Sequence, residues 1–366
     1  MKGICPLPAS LVLVVAVGVL AGCGSCGTSK NVSPKLPPIK IDSAGFTVGD
    51  KPFRFVGANA VNLVFYDDWN LSVEEAVRTA KENGITVLRL YLDWGWGKDQ
   101  DYDEILDIAS RYGVYLLLTL TDCVPSSKSP YCDLGSEESA NAFTTRIGGI
   151  INRKNSVNGK LYRDDTTILG WDIANEPDWR PSQARDWIRK IAAYVKASDP
   201  NHLVTIGLAS NGLDETGSVY ELLDVPDLDF LSFHFYSVAG NWDGTQVPED
   251  STAQIAFLTK TLLSLRKPVV MEEFGFSASG PLNLKTRSNP DTANLYLRVY
   301  KDSMDAAFLA GASGVMFWSW GVPGAKTVPM WWSTEDHSAE DTEFSTLMRE
   351  YQMPVRAKLP NSTPTP

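Results

Sequence analysis

Gly170-Trp171-Asp172-Ile173-Ala174-Asn175-Glu176-Pro177 is an apolar run that stops abruptly on an Asn-Glu pair, and Pro268-Val269-Val270-Met271-Glu272-Glu273-Phe274-Gly275 stops the same way on a second carboxylate. A charge beside a core is costly unless it is paired or faces a cleft. Two glutamates that end buried strands therefore suggest paired acid/base chemistry.

Outward from these runs, short β-rich segments alternate with helical periodicity. Strands are expected over 53–60, 86–92, 114–121, 167–175, 202–208, 228–234, 268–273 and 314–319. Helices are expected over 73–83, 102–112, 137–152, 182–197, 219–223, 253–265, 291–310 and 342–351. Eight βα units in order specify a closed parallel (β/α)8 TIM barrel, an α/β fold in one catalytic domain over 41–358. A doubly wound sheet is the alternative, but it wants a glycine-rich phosphate turn after its first strand, and this sequence carries none there. In such a barrel, functional groups gather where the strands end. The residues so placed are Asn59, Arg89, Asn175, Glu176, His234, Tyr236, Glu273 and Trp318.

The balance of charge is acidic, 33 Lys+Arg against 44 Asp+Glu in 366 residues, and no basic run is interleaved with aromatics. Nucleic acid is thereby disfavoured as a partner. Eleven Trp and thirteen Tyr suit stacking on sugar rings, although most must serve the core. Trp94, Trp96, Trp179, Trp320, Trp331 and Trp332 fall in expected loops or strand ends, and two or three of them, Trp94 first, are expected to be sugar platforms.

Lys2 followed by an apolar stretch from Leu11 to Leu20 reads as an export signal, too short to span a bilayer. Residues 24–40, rich in Gly, Ser, Thr, Lys and Pro, read as a flexible tether, and 359–366 as an unstructured tail. Cys123 and Cys132 are placed to close a loop as a disulfide in an oxidising compartment. No His neighbours them at ligand spacing, so zinc is disfavoured.

Leu20-Ala21-Gly22-Cys23 resembles the lipobox of bacterial lipoproteins. The resemblance implies that residues 1–22 are removed, that Cys23 is lipidated, and that the protein is exported and lipid-anchored at the outer membrane or cell surface. A plain secretory signal is the alternative.

Asn175-Glu176-Pro177 and Glu273-Phe274-Gly275, with Arg89, His234-Phe235-Tyr236 and Trp318, resemble glycoside hydrolase family 5 over residues 53–351. Within it, Ile151-Asn152-Arg153-Lys154-Asn155-Ser156, the following Asn158 to Ile168, and Asp199-Pro200-Asn201-His202-Leu203-Val204-Thr205-Ile206-Gly207 look like endo-β-mannanases. The sequence departs from them after the third strand, where Thr121-Asp122-Cys123 replaces the paired Asn near a Trp. The resemblance implies a retaining endo-β-1,4-mannanase acting on mannan, glucomannan or galactomannan as a monomer, with no metal or cofactor. It makes Glu176 the acid/base and Glu273 the nucleophile.

Glu176 should then have a raised pKa from burial and a neighbouring carboxylate, while Arg89 and Tyr236 hold Glu273 ionised and aimed. Asn175 should meet the sugar's 2-hydroxyl, His234 should lie over the acid, and Trp318 should form the floor. His234 as an ordinary core histidine is the bland alternative. Strand alternation puts Glu272 and Glu273 on opposite faces without saying which faces inward, and the resemblance selects Glu273. A β-1,4-glucanase, an exo-β-mannosidase and a non-catalytic carbohydrate-binding lipoprotein are the competing functions.

Overall fold

In the computed structural model, the described residues are 36–43, 45–66, 71–93, 99–124, 127–178, 183–210, 224–236, 249–275, 290–322 and 342–352. Eight strands form a closed barrel: β4 (Phe55–Asn59), β5 (Ile85–Tyr91), β6 (Tyr115–Thr119), β7 (Ile168–Asn175), β8 (Leu203–Ala209), β9 (Leu231–Phe235), β10 (Val269–Phe274) and β11 (Gly314–Trp318). Every neighbouring pair is parallel, and β11 closes onto β4. The helices are α1 (Val73–Glu82), α2 (Asp99–Tyr112), α3 (Glu137–Ile151), α4 (Ala184–Ser198), α5 (Glu249–Leu263), α6 (Pro290–Ala310) and α7 (Thr342–Gln352). The expected helix at 219–223, Trp94, Trp96, Trp179, Trp331, Trp332, the signal with Cys23, and the tail all lie outside the described residues.

The strands are buried on both faces, as a parallel sheet wrapped in helices requires. Their helix-facing side chains share one core with the helices, which includes Trp171 and Ile173 of β7 and Trp187 and Ile188 of α4. Inside the barrel a second cluster of Phe55, Val87, Leu117, Leu169, Phe230, Val270 and Met316 fills the lower layer. Ser72 caps α1 by accepting from the Glu75 backbone N–H at 3.1 Å, the Ser-x-x-Glu start signal.

An antiparallel sheet of β1 (Ile39–Asp42), β2 (Gly45–Val48) and β3 (Lys51–Pro52) precedes the barrel. Its buried Ile39 and Phe46 join the interior cluster, Phe46 meeting Phe230 edge-on at 5.2 Å. Residues 36–40 were expected in the tether, and here the structure corrects the boundary. Tyr115 donates to the Pro37 carbonyl at 2.8 Å, Thr166 donates to that of Leu36 at 2.6 Å, and Ile39 is buried. The folded body therefore begins before residue 41.

After β6, Cys123 and Cys132 are joined by a disulfide with their Cα atoms 5.4 Å apart.

Candidate active site

Arg89, fully buried on β5, organises the carboxyl ends of the strands. It donates from Nη2 and Nε to Asp172 Oδ2 at 2.6 and 3.2 Å, and from Nη2 to Asn175 Oδ1 at 3.0 Å. Its Nη1 donates to the Tyr91 hydroxyl at 2.7 Å, to Asn59 Oδ1 at 3.1 Å, and to Glu273 Oε1 in a short ion pair. Glu272 Oε2 stands 3.5 Å from Nη2. A buried guanidinium demands such partners, and its planar fork serves several at once.

Glu273 is held from three sides. Arg89 and the Tyr91 hydroxyl, at 2.7 Å, donate to Oε1, and the Tyr236 hydroxyl donates to Oε2 at 2.9 Å. Burial and the Glu273 charge push both phenols well above the usual tyrosine range, so they remain donors. Glu176 follows β7 with a left-handed φ of 45° and is anchored by its backbone N–H to the Gly207 carbonyl at 2.8 Å. Strained backbone of this kind concentrates at functional sites. His234 Nδ1 lies 2.8 Å from Glu176 Oε1 and 3.5 Å from Glu273 Oε1, while Nε2 lies 3.1 Å from Glu272 Oε2.

Register shifts explain how so many groups converge. Between Met271 and Glu273 the pairing of β10 slips, and the adjacent Glu272 and Glu273 both reach the Arg89 cluster. Simple alternation, which would separate them, fails because the bulge re-aims one side chain. A second slip on β7, between Asp172 and Asn175, brings both of those residues to Arg89.

The electrostatics also differ from expectation. Burial opposes charge on His234, but Glu273 and its contacts with Glu176 and Glu272 outweigh it and push the imidazole up to about 10. Burial would raise the Glu176 pKa, as expected; the facing His234, with help from Arg89, instead holds it below the usual carboxylate range. Burial and the Glu272 charge push Asp172 up to about 7 against the opposing pull of Arg89.

Single atoms of Glu176, His234 and Glu273 lie within 4.8 Å of one another, a spacing that a cation can bridge. Their ligand atoms are already engaged, His234 Nδ1 with Glu176 Oε1, and Glu273 Oε1 with Arg89 and the Tyr91 hydroxyl. The donor set does not fit a metal.

A profile of the GH family 5 beta-mannosidase-like family matches residues 131–344, more than half of the chain. The chain belongs to glycoside hydrolase family 5. As a family 5 glycoside hydrolase it is 24% identical to mannan endo-1,4-beta-mannosidase 5 of Solanum lycopersicum, over 75% of this chain and 79% of that one. It is 27% identical to mannan endo-1,4-beta-mannosidase 1 of Oryza sativa subsp. japonica, over 78% and 79%. In fold it matches the endo-1,4-beta-mannanase of Rhizomucor miehei at a TM-score of 0.72 and 24% identity, covering 88% of this chain and all of that one.

Of the residues singled out in this family 5 sequence, Arg89, Asn175, Glu176, His234, Tyr236 and Glu273 converge. Trp318 ends β11 half-buried, with Tyr91 edge-on at 6.4 Å. Asn59, expected to touch substrate, does not face the cleft. It is fully buried, donates to the Glu272 and Phe317 carbonyls at 3.0 and 3.3 Å, and accepts from Arg89.

Tyr91, Asp172 and Asp122 were not anticipated. Tyr91 lies two residues beyond Arg89 on the same strand face, a signal that the period of two carries. Asp172 accepts from Thr119 at 2.7 Å and from the Gly207 backbone at 3.0 Å. Asp122, which stands in the departure Thr121-Asp122-Cys123, accepts from Asn175 Nδ2 at 2.9 Å.

Proposed function

We propose that the protein is a retaining endo-β-1,4-mannanase in which Glu273 is the nucleophile and Glu176 the acid/base. The observation that carries the mechanism is the approach of a Glu176 and a Glu273 carboxylate oxygen to within 4.8 Å. Retention needs carboxyl groups roughly 5–5.5 Å apart, whereas inversion needs room for a water between them. Mannan as substrate is supported by the family and by the names of the curated relatives.

Glu273 attacks the anomeric carbon while Glu176 protonates the departing glycosidic oxygen. A mannosyl ester forms on Glu273, and Glu176 then takes a proton from the water that hydrolyses it. Arg89, Tyr91 and Tyr236 compensate and aim the Glu273 carboxylate. Asn175 gives one amide hydrogen to Asp122, and its second is the donor for the sugar 2-hydroxyl. Trp318 supplies an aromatic face for the sugar at the cleavage point.

The test is hydrolysis of galactomannan, glucomannan, carboxymethylcellulose and an aryl β-mannoside by wild type, Glu176→Gln and Glu273→Gln. Shortened internal fragments from the mannans are expected, with both variants down by about a hundredfold or more. Cleavage of carboxymethylcellulose alone would contradict the mannanase reading, and release of only terminal mannose would make the enzyme exo-acting. We further propose export and lipidation at Cys23, supported by Leu20-Ala21-Gly22-Cys23. Palmitate labelling that persists in Cys23→Ser would contradict it.

A further inference from the structure

Glu272 has no part in the mechanism above, yet it is fully buried in the same cluster. Its Oε1 finds no hydrogen-bond partner among the described residues, and its Oε2 is 3.1 Å from His234 Nε2 and 3.5 Å from Arg89. A buried carboxylate left half-satisfied costs free energy and calls for a reason. The bare backbone of Gly207 lies against the contact, where a Cβ would stand 2.5 Å from Glu272 Oε2 and 2.7 Å from His234 Nε2. Glu272 and Glu176 thus hold the His234 ring between them, one carboxylate on each nitrogen.

From this arrangement we infer that His234 stores the proton that Glu176 delivers, and that Glu272 is the positioning residue that keeps it there. The inference rests on Glu176 being the acid of the reaction. The charged groups against His234 are Glu176 after β7 and Glu272 and Glu273 on β10, with Arg89 of β5 reaching the same point beside Gly207. Asp172 joins the cluster through Arg89, and the Tyr91 and Tyr236 hydroxyls join it through Glu273. Four carboxylates oppose one guanidinium, so the cluster favours a second cation, and the imidazole is the group that can supply it.

This resolves a conflict within the site. The acid needs a proton, but His234, with help from Arg89, holds the Glu176 pKa low against the effect of burial. The proton is instead one hydrogen bond away, on Nδ1. When substrate covers the site and excludes water, the proton passes from His234 Nδ1 to Glu176 Oε1 and on to the glycosidic oxygen, leaving His234 neutral with its Nε2–H on Glu272. In the second half-reaction the proton taken from water returns through Glu176 to Nδ1, so none is gained or lost.

The chain has three histidines, 202, 234 and 337, so nitrogen-15 spectra of histidine-labelled enzyme are assignable by single replacements. In the substrate-free wild type, both His234 nitrogens should be protonated at about pH 8, above the ordinary histidine pKa. Glu272→Gln, which keeps an acceptor but loses the charge, should lower the His234 titration by about one pH unit or more. The alkaline limb of kcat/KM should move down with it. The variant's loss should be about tenfold greater on mannotetraose than on 2,4-dinitrophenyl β-mannoside, whose leaving group needs no acid. Glu272→Asp should restore part of the shift. A neutral His234 in wild type at that pH, or an unchanged titration in Glu272→Gln, would overturn the inference. These spectra need no turnover, so absence of hydrolysis of the mannans would defeat the functional reading separately.

Discussion

Asp103 on α2 and Asp172 on β7 are both fully buried carboxylates, but their surroundings are opposite in kind. Asp103 receives Arg153 through Nε at 3.0 Å and Nη2 at 2.5 Å, Tyr162 at 2.7 Å, and the Ser156 hydroxyl and backbone N–H at 2.8 and 3.0 Å. Burial works against its charge, and these donors overcome it, holding the Asp103 pKa below the usual range. Asp172 shares its single guanidinium with Glu272 and Glu273, and its pKa is driven up to about 7. One cluster is matched and fixes a loop between α3 and β7. The other is crowded with like charge, and such crowding is how active sites separate the proton affinities of their groups.

The largest expected effect lies in the crowded cluster. Arg89→Met strands three buried carboxylates, and at about 3–5 kcal/mol for a broken buried pair, kcat/KM should fall by about a hundredfold to a thousandfold or more. Activity within about tenfold of wild type would mean that the cluster does not depend on its guanidinium. Next in size, Asp103→Ala should cost about 3 kcal/mol in urea unfolding, because Arg153 and Tyr162 lose their acceptor, while kcat of the folded enzyme is retained. A kcat loss without a stability loss would erase the contrast.

Tyr91→Phe removes one hydrogen bond to a charged group and should lower kcat by roughly tenfold to a hundredfold. An unchanged kcat would place Tyr91 among packing residues.

The smallest effect per step is in pH. His234 has its folded pKa raised, so its stabilisation is complete below the unfolded value of about 6.5 and is lost as pH rises toward about 10. Asp172, also raised, acts in the same direction between its unfolded value of about 3.9 and about 7. Asp103 has its folded pKa lowered, and so does Asp199, where burial is overcome by His202 and Trp171. Their stabilisation is present above about 3.9 and disappears as pH falls through their folded values. Glu176, likewise lowered, follows this second pattern. Unfolding free energy should decline on the alkaline side at no more than about 1.4 kcal/mol per pH unit per proton, and less steeply in His234→Gln. An equally steep decline in that variant would remove His234 from the account.

The barrel was legible because its strands and helices alternate with clear periods, down to β7 and β10 ending at the glutamates. The sheet β1–β3 was not, since strands of four, four and two residues give too little pattern to recognise, and the first two residues of β1 were read into the tether. In the site, strand-end position brought out Arg89, His234, Tyr236 and Glu176, while the choice of Glu273 over Glu272 came from the family resemblance. Strand-end position misled for Asn59, which is drawn inward by Arg89 and two carbonyls. The partnership of Glu272 with Glu273 and of Asp172 with Asn175 depends on register slips, and a slip of one residue reverses every face that a period of two assigns. The low Glu176 pKa depends on a histidine 58 positions away in sequence. The stretches that suggested a mannanase, around Arg153 to Tyr162 and Asp199 to His202, proved to be organised by Asp103 and Asp199. They stabilise the family's scaffold, and the chemistry lies elsewhere.

The central claim, that Glu273 rather than the adjacent Glu272 attacks the sugar, is tested most directly by trapping the intermediate. Enzyme inactivated with 2-deoxy-2-fluoro-β-mannosyl fluoride and digested for mass spectrometry should carry one fluoromannosyl ester, on Glu273. An ester on Glu272, or hydrolysis of mannan with inversion and no trapped ester, would contradict it.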